Sequence, residues 1–145
     1  MWHTMADNLT LAYEFTNDPN DDFGWLAASV EASGFRARNG FWVQWQDLVE
    51  FASRLAPYPL PTNGPVEAEW GYSENGEYTR VTLISLSQTS ATGKVSVSVD
   101  LADYYEPRRR CQVIFDTSYA SLELFRQELE DLMARKKETA VLLSA

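Results

Sequence analysis

In three stretches between Val66 and Phe115 apolar residues recur at every second position, and this alternation constrains the fold more than any other feature of the chain. Val66, Ala68, Trp70 and Tyr72 alternate with Glu67, Glu69 and Gly71, and the turn signal SENGEY leads into the apolar-rich run TRVTLISLS. Val95, Val97, Val99 and Leu101 alternate with Ser96, Ser98 and Asp100, and Cys111, Val113 and Phe115 share a face further on. A period of two is that of a strand with one buried face. The segment therefore predicts four consecutive strands in an antiparallel meander.

The flanking segments complete the pattern. Leu9, Leu11, Tyr13 and Phe15 alternate with polar or small residues and predict a first strand. The stretch WLAASVEASGFRARNGFWVQW predicts a hairpin about Asn39-Gly40, a dipeptide suited to the type I′ turn, which needs positive φ at both central residues. Leu48, Phe51, Ala52 and Leu55 lie at offsets of 3, 4 and 7, the stripe of a helix that must stop by Pro57. PYPLPTNGP then reads as a stiff loop. Leu122, Phe125, Leu129 and Leu132 line a last helix starting near Ser118, capped by Asp116 or Ser118. In that helix Glu123 lies early and Arg135, Lys136 and Lys137 late, complementing the dipole. The order β-β-β-α-β-β-β-β-α, with strands in runs, predicts a single α+β domain over residues 1–145. Its expected architecture is one antiparallel sheet of six to seven strands with two helices on one face.

A chain of 145 residues with five Trp, seven Tyr and seven Phe has ample material for a core. Twelve Lys and Arg against 21 Asp and Glu give a net charge of -9, which disfavours nucleic acid and suits a basic partner. The opening MWHTMADNLT has neither a basic n-region nor an apolar h-region, and the apolar tail AVLLS is far shorter than the about 20 residues that span a bilayer. The expectation is a cytoplasmic protein without membrane contact. One cysteine, Cys111, excludes an internal disulfide and a Cys-based zinc cluster, and its strand spacing makes it a buried packing residue.

Catalytic equipment is sparse. The one histidine, His3, lies in an N-terminus expected to fray, so no Ser-His or Cys-His pair is supported. In NDPNDDFGW, Asp18, Asn20 and Asp22 occur at alternate positions as in a calcium loop. Counted from Asp18, however, Phe23 stands where an EF-hand needs glycine and Ser29 where it needs the bidentate glutamate, so the stretch reads as a solvated turn and no metal or cofactor is expected. Glu67 and Glu69 share a strand face about 6.5 to 7 Å apart, within range of an acid/base pair, but alternation with Val66, Ala68 and Trp70 is also what a solvated strand face looks like. DYYEPRRRC is the most unusual local composition. Arg108 to Arg110 could grip an anion or pair with Asp103 and Glu106, while Tyr104 and Tyr105 are of a residue type enriched in interface hot spots.

GWLAASVEA, WVQWQDLVEFASRL, GKVSVSVDLAD and CQVIFDTSYASLELFRQELEDL, in that order, resemble the small bacterial immunity-like proteins of polymorphic toxin systems, including the WapI-type immunity family. The resemblance rests on a Trp-Leu opening strand, on Trp45, Leu48, Phe51 and Leu55 in the first helix, on a Gly-led strand, and on a last helix reached through Tyr119 and Leu122. These are core positions, and the DYYEPRRR loop and proline-rich connector have no counterpart in it. The resemblance implies a non-enzymatic protein that neutralises a toxin by binding it. The expected binding surface is Glu67, Glu69, Asp103, Tyr104, Tyr105 and Glu106, facing a basic protein. The alternatives are a small-ligand-binding or hydrolytic domain using Glu67 and Glu69, and a homo-oligomeric structural protein using a sheet edge.

Overall fold

A computed structural model of the chain describes residues 6–90 and 93–145; His3 lies outside them. The described residues form eight strands and two helices: β1 (Asn8–Phe15), β2 (Phe23–Ala32), β3 (Phe35–Gln44), α1 (Trp45–Arg54), β4 (Val66–Glu74), β5 (Glu77–Gln88), β6 (Lys94–Ala102), β7 (Arg110–Ser118), α2 (Tyr119–Met133) and β8 (Thr139–Leu143). The strands make two four-stranded sheets, ordered β3-β2-β1-β8 and β4-β5-β6-β7, with antiparallel neighbours throughout.

The meander β4 to β7 forms as its alternation predicts, but the expectation of one sheet of six to seven strands is overturned. Strand β3 runs directly into α1, and the proline-rich loop after α1 delivers β4 into a second sheet rather than beside β3. Period-two patterning fixes which face of a strand is buried and does not say which neighbour it joins. The helices do not share one sheet face either. α1 contacts β3 of one sheet and β4 of the other, α2 contacts β8 and β7, and the helices touch each other, while β2 and β3 meet β6 and β7 directly. Both sheets and both helices thereby bury their apolar faces in one continuous cluster, from Leu9 and Leu11 through Val97 and Val99 to Phe125 and Leu129.

The eighth strand was not anticipated. Ala140 and Leu142 of the tail are fully buried, and β8 pairs with β1, aligning Leu9 with Leu142 and Leu11 with Ala140. Its free edge is occupied: the Val141 amide donates to Glu128 at 2.8 Å, and Thr117 donates to the Leu143 carbonyl at 2.6 Å. The Ser144 amide reaches the Asp7 carbonyl, and the Ala145 amide reaches Asp116, so the end of the chain ties the two sheets together.

Two local expectations are also corrected. The β2–β3 turn is Ser33-Gly34, with φ of 50° and 89°, and Asn39-Gly40 lies inside β3. The α2 dipole is not complemented by late basic residues, since the helix stops at Met133 and Arg135, at φ 61°, already lies past its C-cap. Its N-terminus is capped by Ser118, whose hydroxyl accepts from the Ser121 amide at 3.1 Å. The proline-rich loop is anchored by buried Leu60, whose amide donates to the Tyr119 hydroxyl at 2.9 Å.

Phe125 is fully buried where α2 meets the shared cluster. Phe125→Ala should therefore cost about 3 to 5 kcal/mol, read as a lowered urea midpoint at unchanged slope.

Tyr13 gives a second test. Its hydroxyl donates to the Val43 carbonyl at 2.7 Å, and burial, followed by the charges of Asp21, Asp47 and Asp22, pushes the phenol up to about 12. A folded-state value above the unfolded one, about 10, means that the stabilisation is complete below that pH and is lost as pH rises through the folded value. The melting-temperature gap between wild type and Tyr13→Phe should be constant up to about pH 9 and close between about pH 10 and 12.

Candidate functional site

The β6–β7 loop is internally ordered. The Asp103 amide donates to the Arg109 carbonyl, the Arg109 amide to the Glu106 carbonyl, and the Tyr105 amide to the Asp103 carboxylate. Each arginine of the triplet has its own acid: Arg108 meets Glu106 at 2.8 Å, Arg109 meets Asp103 at 3.3 Å, and Arg110 meets Asp100 at 3.0 Å. The Arg108 guanidinium holds the Glu106 carboxyl below its usual range. Arg80 joins the buried Asp100 at 2.6 Å, and Arg110 also donates to the Arg80 carbonyl. The loop's acids and bases thus neutralise one another, which leaves the arginines poorly placed to grip an anion and weakens the long-range field of Asp103 and Glu106.

The two tyrosines are differently used. Tyr105 is 84% exposed and stacks on Tyr104 with ring centroids 5.0 Å apart. Half-buried Tyr104 meets Phe41 edge-on at 5.2 Å, Tyr72 at 6.0 Å and Trp25 at 6.4 Å. Trp25 in turn meets Trp42 edge-on at 5.1 Å. The result is an aromatic band leading from the exposed loop of one sheet onto the outer face of the other, with Trp42 46% exposed at its far end.

Asn39 and Gly40 build the middle of this band. The Asn39 side-chain amide reaches the Val81 carbonyl, the Thr82 hydroxyl and the Ala102 carbonyl at 3.2, 2.9 and 2.9 Å, pinning β3 across β5 and β6. Gly40 supplies space: a Cβ there would lie 2.3 Å from Trp25 Cζ2, so the indole rests directly on the β3 backbone.

Glu67 and Glu69 are not brought into this band. They lie exposed on β4, an edge strand, where Tyr78 donates to Glu69 at 2.9 Å and Arg54 donates to the Glu67 carbonyl at 2.8 Å. Asp47 and Glu50 of α1 line the same shallow recess, and Asp47 accepts from the Trp70 indole at 3.1 Å. In the opening turn, Asp18 accepts from the Asn20 amide and Asp21 from the Phe23 amide, both at 2.9 Å, so these carboxylates are engaged by their own loop. Among the described residues no three His, Cys, Asp or Glu side chains are grouped to hold a metal ion. Cys111 is half-buried and packs against the core, less enclosed than its strand spacing suggests. No described helix is long and apolar enough to cross a membrane.

Sequence reasoning singled out Tyr104 and Tyr105 but missed Trp25, Trp42 and Phe41. The available signal was the match of Trp25 with Trp42 across the β2–β3 hairpin, hidden by placing the turn at Asn39-Gly40 instead of Ser33-Gly34. No protein-family model matches the chain, and no curated protein matches it by sequence.

Gly40→Ala should displace the Trp25 indole, weaken the near-ultraviolet circular dichroism of the Trp25–Trp42 pair and cost about 1 to 3 kcal/mol. An unchanged aromatic spectrum would show that the indole does not rest on β3.

Proposed function

We propose that the protein is a non-enzymatic binding module for a basic protein, acting in the cytoplasm, and that it is an immunity protein neutralising a basic toxin. The observation that carries this reading is the aromatic band from Tyr105 through Tyr104 and Trp25 to Trp42, held on two sheets that share one core. Exposed tyrosine and tryptophan on a rigid support offer contact area at small entropic cost, the usual make-up of interface anchors. The net charge of -9 supports a basic partner, because opposite charge accelerates encounter. Glu67 and Glu69 serve this reading as exposed acids beside Asp47 and Glu50, whereas Asp103 and Glu106 hold the tyrosine loop in shape through their arginines.

The division of labour is testable by surface plasmon resonance against the product of a neighbouring toxin-like gene or a protein recovered by pull-down. Tyr105→Ala should raise the dissociation rate about tenfold or more with little effect on association. Glu67→Gln with Glu69→Gln should slow association and flatten its salt dependence. Asp103→Asn with Glu106→Gln should uncover the Arg108 and Arg109 charges and free the tyrosine loop, slowing association and speeding dissociation together. Full affinity in all three variants, or turnover of a small molecule, would overturn the proposal.

A further inference from the structure

On the outer face of the first sheet one residue from each of three neighbouring strands forms a row: Glu14 of β1 lies directly across from Trp25 of β2, which lies across from Trp42 of β3. Residues directly opposed on adjacent strands project to the same side, with Cβ atoms about 4.5 to 5.5 Å apart. Glu14 and Trp42 are exposed and Trp25 half-buried, and Phe23, also exposed, lies two residues before Trp25 on the same side. The next row, Ala12, Ala27 and Gly40, has no large side chain: the Trp25 indole covers Gly40, and Ala12 and Ala27 leave a low floor beside it.

Among the described residues Glu14 has no ion-pair partner, and neither indole carries a cation. The contrast with the adjoining residue is direct, since the ring of Phe15 already carries the Arg135 guanidinium at 4.0 Å. The arginines that share the outer face, Arg36 and Arg38, lie opposite Glu31 and Ser29. Arg38, the nearer, is four residues along β3 from Trp42, about 13 Å away. The acids Asp21 and Asp22 immediately precede Phe23 and add negative charge at the aromatic end. An unpaired carboxylate one strand from Trp25, with the Trp42 indole one strand further on, meets the two demands of a guanidinium, which accepts cation–π and stacking contacts on its plane while donating along its edge to a carboxylate.

We infer that the row Glu14–Trp25–Trp42 receives an arginine side chain of a protein partner. This rests on the binding-module reading above and specifies which side chain of the partner is recognised. Lysine fits less well, because a compact, strongly hydrated ammonium gains less from stacking and cannot donate along two parallel bonds.

The test follows the indole NH signals of the 15N-labelled protein by NMR, with Trp25 and Trp42 identified by their loss in Trp25→Phe and Trp42→Phe. The probes are acetylated hexapeptides alternating glycine with arginine, lysine or citrulline. Saturable shifts of both indole signals with the arginine peptide are expected, with weaker binding of the lysine peptide and none of the citrulline peptide. Glu14→Gln, a surface change, should weaken the arginine peptide roughly fivefold. No shift at either indole at millimolar arginine peptide, equal binding of lysine or citrulline peptide, or indifference to Glu14→Gln would each overturn the inference. Its failure is separable from that of the broader reading. A captured basic partner that depends on Tyr105 but tolerates Glu14→Gln and Trp42→Phe sinks the arginine receptor alone. Intact indole shifts with no protein partner captured would leave a guanidinium site but overturn its assignment to a protein partner, along with the protein-binding reading.

Discussion

One amide fixes how β3 sits across the second sheet. Asn39 reaches across from β3 to two carbonyls and a hydroxyl on β5 and β6, and an NH2 group has two hydrogens, so one of them is shared. The orientation is fixed by chemistry, because a flipped side chain would set its oxygen against the Val81 and Ala102 carbonyls. The Asn39 oxygen is left buried without a partner, a cost of about 1 to 3 kcal/mol that the crossing bonds offset. Because β3 is held there, Gly40 beside it can carry the Trp25 indole, and the indole can meet Tyr104 of the other sheet. Core packing alone is non-directional and would leave the two sheets freer to slide.

A related arrangement lies on the outer face of the second sheet. Asp100 is buried although its neighbours Val99 and Leu101 face the core, because Arg80 and Arg110 fold over it from β5 and β7. Removing both arginines would leave the buried Asp100 charge uncompensated, which costs more than the pairing contributes. This polar cluster lies where the bulge at Trp70/Gly71 breaks the β4–β5 register, two residues before β6 ends and the tyrosine loop begins.

What could be read from the sequence depended on whether a residue's environment was set by near neighbours. Strands β4 to β7 and the stripes of α1 and α2 were legible, since each pairs or packs with the next element. β8 was not, because five residues carry little periodicity and its partner β1 lies at the opposite end of the chain. Asn39-Gly40 misled because the same two residue types answer two different demands. A turn wants positive φ, whereas here Asn39 is wanted for its donors and Gly40 for its lack of a side chain. The arginine triplet suits either an anion grip or local ion pairs, and only the folded geometry chooses between these. For the binding band, composition disclosed the tyrosines, but joining them to Trp25 and Trp42 required knowing that two sheets meet.

The position of β8 also orders events in time. As the polypeptide leaves the ribosome, β1, β2 and β3 emerge first and can pair locally, yet the outer edge of β1 stays bare until α2 has been made and β8 follows it. Throughout that interval the nascent sheet presents an open row of hydrogen-bonding groups over Leu9 and Leu11, the kind of edge that recruits strands from other chains. The second sheet, whose four strands are consecutive, has no such wait. Emergence of β8 is therefore the moment at which the β1 edge is covered, and a stall between α2 and β8 would leave that edge open for longer.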